Sequence, residues 1–309
     1  MGTERFVLTL LTKSSYDAKL AKLHDVLALL GFQAEQPRPL SPANYDFACV
    51  EFVIAGPATS LDTLRAALLD LSHSSAMDLA IRAEGHDFRH FRLAAFDMDS
   101  TLIEAEVIDE LAKEMEVGEQ VAAITAAAMR GELDFQQSFR KRVALLNGLS
   151  EARLVVVAER ILLTNGAERL FRVLKRLGIK TAVCSGGFTF MAKRLQQRLG
   201  IDYVYANELH IKNGLVTGEV PFEIIDANRK AQLVRQIAAS EEINLDQVIA
   251  VGDGANDLPM INLAGMGVAF HAKPVVRAGA KYSVSHAGID ALLYLIGLHE
   301  EQIGALLSS

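Results

Sequence analysis

The chain has 309 residues, half of them hydrophobic and 22% charged, with a formal net charge of -7. That length predicts two domains with a sizeable core, and the acidic balance speaks against a nucleic-acid partner, because phosphate backbones need a basic footprint. No stretch reaches the roughly 18 consecutive apolar residues needed to span a bilayer, so no membrane partner is expected.

The opening stretch, MGTERFVLTLLTKSS, has an acidic residue early and lacks a basic segment followed by a small-residue cleavage site, so it is not read as a signal peptide. Residues 1–85 predict a small α+β domain. RFVLTLLT is strand-like. YDAKLAKLHDVLALLGF repeats its apolar residues at helical spacing and ends near Gly31. FACVEFVIAG reads as a strand, SLDTLRAALLDLS as a helix and MDLAIRAE as a strand. In element order and length this segment resembles the ACT-type regulatory domains of amino-acid metabolism. GHDFRHFR, from Gly85 to Arg92, is a polar and locally basic linker. His86 and His90 are spaced as metal-binding histidines on a helix can be, but no acidic third ligand accompanies them. Cys49 and Cys184 lie in separate apolar runs with no CxxC or zinc spacing. They predict two reduced, buried thiols in a cytoplasmic protein.

Residues 86–309 predict a second, α/β domain built on a Rossmann-like, doubly wound parallel sheet. RLAAFD, IKTAVCSGG, YVYANEL and QVIAVGDG are short apolar runs with helical segments between most of them, as buried parallel strands should be. LHIKNGLVTGEV carries an Asn213-Gly214 turn between alternating segments, a hairpin signal. From Asp99 to Ser185 the chain runs 86 residues, whereas a βαβ crossover needs only a few tens. The excess reads as about four helices, a cap inserted over roughly 107–164 at the carboxyl edge of the sheet, where lids exclude water.

Doubly wound sheets place functional groups at the carboxyl ends of strands, and that is where the chemistry-bearing residues fall. Asp97 and Asp99 end the first α/β strand. Strand side chains alternate, so the pair points one way and could bind a hard divalent cation. An EF-hand reading fails, because the sixth and twelfth positions are Leu102 and Ile108 instead of Gly and Glu. In VIAVGDGAND, Asp253 ends an apolar run between Gly252 and Gly254, and Asn256 and Asp257 open a helix with Pro259 in its first turn. In TAVCSGGF, Ser185 follows a strand, and Gly186 and Gly187 let backbone N–H groups face an anion. A plain helix N-cap explains Ser185 equally well. Lys230 in DANRKAQLV is by itself a solvated lysine, with Arg229 a rival for the same role.

Together and in order, DMDSTL, Ser185, Lys230 and GDGAND closely resemble the four motifs of the haloacid dehalogenase-like phosphohydrolases. DMDSTLIEAEVIDELA, GELDFQQSFRKRV, VCSGGF and VGDGANDLPM look like the phosphoserine phosphatases within that superfamily, over about Arg92 to Leu295. The N-terminal unit fits too, because bacterial members often carry ACT-like domains there.

The resemblance implies hydrolysis of O-phosphoserine, the last step of serine synthesis, through an aspartyl-phosphate. It makes Asp97 the nucleophile and Asp99 the acid and then the base. It implies Mg²⁺ held by Asp97, Asp253 and the main-chain carbonyl of Asp99, with Asp257 in the outer shell. Lys230, the Ser185 hydroxyl, the Gly186 N–H and Asn256 would bind phosphoryl oxygens. Arg142 would pair with the substrate carboxylate, Glu106 with its ammonium, and Phe135 would close over it. Read from spacing alone, Arg142 could belong to a solvated basic face, Glu106 to an exposed helix and Phe135 to the cap core. A homodimer is a candidate assembly. The alternatives are another small phosphomonoester, phosphotransfer to a second hydroxyl, or an amino-acid sensor without turnover.

Overall fold

The computed structural model of the chain describes residues 3–13, 16–42, 47–220 and 223–308. Parts of the opening stretch, residues 1–2 and 14–15, lie outside the described residues. The N-terminal unit runs β1 (Thr3–Thr12), α1 (Asp17–Leu29), β2 (Gln33–Ala34), β3 (Arg38–Pro39), β4 (Ala48–Pro57), α2 (Leu61–Ser75) and β5 (Asp78–Ala83). Its sheet is antiparallel in the order β2-β4-β1-β5, with β3 also on β4. All five expected elements form. The two short strands were not expected, since two residues give no alternation to read.

Alternation sorts this sheet into two faces. Leu8, Leu10, Val50, Phe52, Leu79 and Ile81 pack with Leu23 and Leu27 of α1 and Leu64 and Leu68 of α2. On the other face, Leu11, Cys49 and Ala80 join the large core of the rest of the chain. Asp78 opens β5 on that face and is 1% exposed. Its carboxylate accepts the N–H groups of Ser285 at 2.7 Å, His286 at 3.0 Å and Ala287 at 3.1 Å. Burial pushes its pKa up, and those three N–H groups and His286 oppose the shift.

The second unit begins with β6 (Leu93–Phe96). The cap follows as α3 (Val107–Glu114), α4 (Gly118–Met129), α5 (Phe135–Ala144) and α6 (Glu151–Arg160). Then come α7 (Ala167–Arg176), β7 (Lys180–Phe188), α8 (Thr189–Leu199), β8 (Tyr203–Asn207), β9 (Ile211–Lys212), β10 (Leu215–Val216) and α9 (Ala227–Ser240). The chain closes with β11 (Val248–Gly252), α10 (Leu258–Leu263), β12 (Met266–Phe270), α11 (Pro274–Gly279), β13 (Tyr282–Val284), α12 (Ala291–Leu295) and α13 (Glu300–Ser308).

The main sheet is parallel in the order β13-β12-β11-β6-β7-β8. Every residue of β6 and β11 is buried, as helices on both faces require. The strands β12 and β13 were missed, because MGVAF and YSV are short and unalternating. From β6 the sheet grows one way through β7 and β8, and the other way from β11 through β12 and β13. The crevice at such a reversal is where ligands bind in open α/β sheets.

Four helices form within the expected cap. The two connections into it lie side by side, with Glu104 N–H on Leu162 O and Thr164 N–H on Leu102 O, both at 3.0 Å. A capping box fixes the start of α5: Asp134 accepts the Gln137 N–H at 2.7 Å, and Gln137 accepts the Asp134 N–H at 3.3 Å. The β9–β10 hairpin forms as expected, with φ of 53° at Asn213 and 75° at Gly214, the two positive values a tight I′ turn needs. It bonds to the α5–α6 loop, Gly148 N–H to Val216 O and Val216 N–H to Leu149 O, each 2.8 Å.

Candidate active site

The strand β6 ends at Phe96, so Asp97 and Asp99 lie just past its last ladder residue. Strand alternation is therefore not what aligns them. A tight turn does so: Leu102 N–H reaches Met98 O at 2.8 Å, and Ser100 sits at a left-handed φ of 57°. Both carboxyls face a cavity of about 160 Å³ between the sheet edge and the cap. Of the residues to which the resemblance assigns a role in catalysis or binding, all but Lys230 and Asp257 line it.

Those two lie beneath it. Lys230 is 1% exposed, and its Nζ is 2.9 Å from Asp97 Oδ1 and 2.7 Å from Asp257 Oδ1. A lone lysine that reads as solvated is thus fully buried. Its pKa is raised, because Asp257 and Asp97 outweigh the desolvation that would lower it. Asp97 Oδ1 also accepts the Met98 N–H at 2.7 Å. Asp257 accepts the Gly254 N–H at 3.0 Å on its other oxygen.

The carboxyls have different surroundings. Asp99 Oδ1 is buried without a hydrogen-bond partner among the described residues. Loss of water, then Glu106 and Asp97, raise the Asp99 pKa well above the ordinary carboxylate range. Asp253 accepts the Thr101 hydroxyl at 3.0 Å. Desolvation and the charges of Asp97 and Asp257 push it up to about 7. Asp257 is raised to about 6 by burial and Asp97, with Lys230 opposing.

Oxygens of Asp97, Asp253 and Asp257 lie within 4.8 Å of one another. The Asp99 carboxyl is not among them. Three carboxylates against one lysine leave negative charge in a buried place. That all-oxygen donor set fits a hard divalent cation. Asp257 has both oxygens engaged by Lys230 and Gly254, which leaves Asp97 and Asp253 as the freer donors.

This geometry has a pH consequence. Asp253 and Asp257 titrate near 7 and 6, above the ordinary value of about 4. Their protonation favours the metal-free fold. That contribution is complete below about pH 4 and is lost as pH rises through 6 to 7. A cation needs them ionised. The Tm of the metal-free chain should therefore fall between pH 5 and pH 8, and a divalent cation should raise Tm more at pH 8 than at pH 5. Equal metal-induced rises at both pH values would contradict the assignment.

Ser185 is fully buried, and its Oγ accepts the Gly187 N–H at 2.9 Å. It caps no helix: α8 starts at Thr189, and the residue before it is Phe188. A side chain at Gly187 would displace the Asp99 carboxyl, because a Cβ there would lie 2.6 Å from Asp99 Oδ2 and 2.7 Å from Met98 Cε. Gly252 is similar, with a Cβ meeting Asp257 Cγ at 2.4 Å.

The far wall comes from the cap and the turn before it. Glu106 is an exposed residue whose carboxyl lines the cavity, where it accepts the Ser100 hydroxyl at 2.9 Å. Loss of water raises its pKa; Ser100 and Arg142 oppose the shift. Arg142 has its Nε buried without a hydrogen-bond partner among the described residues. Burial lowers its pKa, and Asp109 and Glu106 oppose that. Phe135 stacks on Phe139 at 6.0 Å and rests over Gly186, 3.2 Å from where a Cβ would sit. The linker imidazoles of His86 and His90 stack at 4.1 Å. Sequence reading missed Thr101, Ser100 and Asn207. The first two stand inside the DMDSTL motif; Asn207 ends a strand, and nothing local marks it.

Residues 94–262 match the family model described as haloacid dehalogenase-like hydrolase. A phosphoserine phosphatase of Streptomyces coelicolor is 47% identical over 263 residues, 85% of this chain and 64% of that protein. The chain thus spans less than two thirds of that relative's length. A phosphoserine phosphatase of Archaeoglobus fulgidus is 44% identical over 252 residues, 82% of this chain and 73% of that one. The crystal structure of a HAD family hydrolase from Salmonella enterica serovar Typhi superposes with a TM-score of 0.85 at 34% identity, covering 94% of this chain and 99% of that one. The chain belongs to the haloacid dehalogenase-like hydrolases and, within them, to the phosphoserine phosphatases.

Proposed function

We propose that this chain hydrolyses O-phosphoserine to serine and phosphate through an aspartyl-phosphate on Asp97. The observation that carries this is one cavity in which Asp97 and Asp99 face Arg142 and Glu106. There a carboxylate would meet Arg142, an ammonium Glu106, and a phosphoryl group the hydroxyl and N–H donors of Ser185, Gly186 and Asn256 beside Asp97 and Asp99.

Asp97 Oδ1 is held by Lys230 and the Met98 N–H, so Oδ2 is the oxygen we assign to attack. Its lone pair forms a bond to phosphorus as the phosphorus–serine oxygen bond breaks. The leaving alkoxide takes the proton of Asp99, whose surroundings favour the protonated carboxyl. Asp99, now ionised, removes a proton from water. The water oxygen bonds to phosphorus, and the Asp97–phosphorus bond breaks. Lys230, the Ser185 hydroxyl, the Gly186 N–H and Asn256 bind the phosphoryl oxygens in both steps.

The proposed cofactor is Mg²⁺, for which Asp97, Asp253 and the main-chain carbonyl of Asp99 are the assigned donors and Asp257 an outer support. Its charge would offset that of the phosphoryl oxygens. Arg142 is assigned the substrate carboxylate, Glu106 the ammonium, and Phe135 the closing face. We assign residues 1–85 to an ACT-like domain and the rest to the phosphatase domain. No helix among the described residues is long and apolar enough to cross a membrane. The two buried free thiols support a cytoplasmic setting.

A substrate panel tests this reading. Arg142→Ala should lower kcat/KM for phosphoserine by about 100-fold, while a carboxylate-free ester such as p-nitrophenyl phosphate should lose less than about threefold. Equal losses on both would remove the role given to Arg142. A strong preference of the unaltered chain for another ester would sink the substrate assignment.

A further inference from the structure

We propose that Asn207 is a positioning residue that holds the Ser185-Gly186-Gly187 turn ready for a phosphoryl group, an inference that rests on the phosphatase reading above. The strands β7 and β8 pair Cys184 with Tyr205 and then Phe188 with Asn207. Three residues of β7 therefore face only Ala206 of β8, and the ladder breaks between them. Peptide groups released in a buried place need other partners.

Asn207 supplies them. It is 2% exposed. Its Nδ2 donates to Gly186 O at 2.8 Å, and its Oδ1 accepts the Ile225 N–H at 2.8 Å. Only this amide orientation satisfies both neighbours, since one can only accept and the other can only donate.

A trans peptide is rigid and planar, so the Gly186 carbonyl and the Gly187 N–H point in opposite directions. Holding the carbonyl on Asn207 aims the Gly187 N–H away from it, onto Ser185 Oγ. With Oγ accepting that bond, the Ser185 hydroxyl proton is left to donate to a phosphoryl oxygen. The other end of the amide holds Ile225. The next residue, Asp226, caps α9 through the Arg229 N–H at 2.9 Å, and Lys230 follows one turn later. One side chain thus fixes the two segments that cradle the phosphoryl group. Asn207 does not line the cavity, so it acts through them.

The test uses the full chain with Mg²⁺, hydrolysis of p-nitrophenyl phosphate, and inhibition by inorganic phosphate and by L-serine. Asn207→Asp keeps the acceptor for Ile225 but sets an oxygen against the Gly186 carbonyl. It should lower kcat about tenfold and raise the phosphate inhibition constant about tenfold. The L-serine inhibition constant should stay within about twofold. A folded N207D with wild-type phosphate inhibition overturns the proposal. So does an equal weakening of phosphate and serine, which would mean general loosening. If N207D does not fold, N207S removes both bonds with a smaller side chain and carries the same comparison. A wild-type chain that cleaves the reporter ester but ignores L-serine would sink the phosphoserine assignment instead, and the phosphate shift would then decide the role of Asn207.

Discussion

Asp97→Asn is expected to lower turnover by at least about 10³-fold while melting no lower than the unaltered chain in metal-free buffer. The two halves of this result have different causes. An amide is a poor nucleophile toward phosphorus, so the covalent route closes. Yet Asn keeps an oxygen for the Met98 N–H and for Lys230, so neither group is orphaned. The Asp97 charge raises the pKa of Asp99, Asp253 and Asp257. Its removal relieves that repulsion. Wild-type turnover by the Asn protein would show that the nucleophile is elsewhere. A lower melting point would show that Asp97 holds the fold together as well as reacting.

Lys230→Ala should fail in the opposite way, losing both activity and stability. Its side chain is 1% exposed, and its partners Asp97 and Asp257 are 8% and 0% exposed. Removing the lysine strands two buried carboxylates, a change that costs about 3–5 kcal/mol. The loss should depend on pH. Lys230 holds the Asp257 pKa down, so without it Asp257 rises above its value of about 6. A carboxyl raised in this way stabilises the fold below about pH 4 and ceases to do so as pH climbs through its folded value. Denaturant melts should therefore show a smaller gap between variant and wild type at pH 5 than at pH 8. A gap that does not change with pH would mean that packing of the lysine stem, and not its charge, is what the site needs. Lys230→Arg should not rescue activity, because a planar guanidinium does not fit a fully buried point-charge site.

Asp97, Asp253 and Ser185 could be read from sequence for one physical reason. Each follows an apolar run, and a polar group after such a run stands at the open edge of a buried parallel strand. The cap was legible as an excess of chain between two strands. Lys230 and Asp257 were legible only through their family motif, since their meaning is a mutual contact across 27 residues. Asn207 and Asp78 were not legible at all. An asparagine ending a strand reads as a turn, and an aspartate opening one reads as a boundary. What gives Asp78 its role is three N–H groups more than 200 residues away. The strands β12 and β13 were lost because a short run buried on both faces carries no period.

Phosphate release from O-phosphoserine, measured with and without Mg²⁺ and matched to the serine formed, decides whether the chain is a metal-dependent phosphoserine phosphatase. Equal amounts of phosphate and serine are expected, with metal-dependent release and loss of both when Asp97 is Asn. Phosphoserine left intact while another small ester is cleaved, or release at the same rate after the metal is stripped, would contradict that assignment.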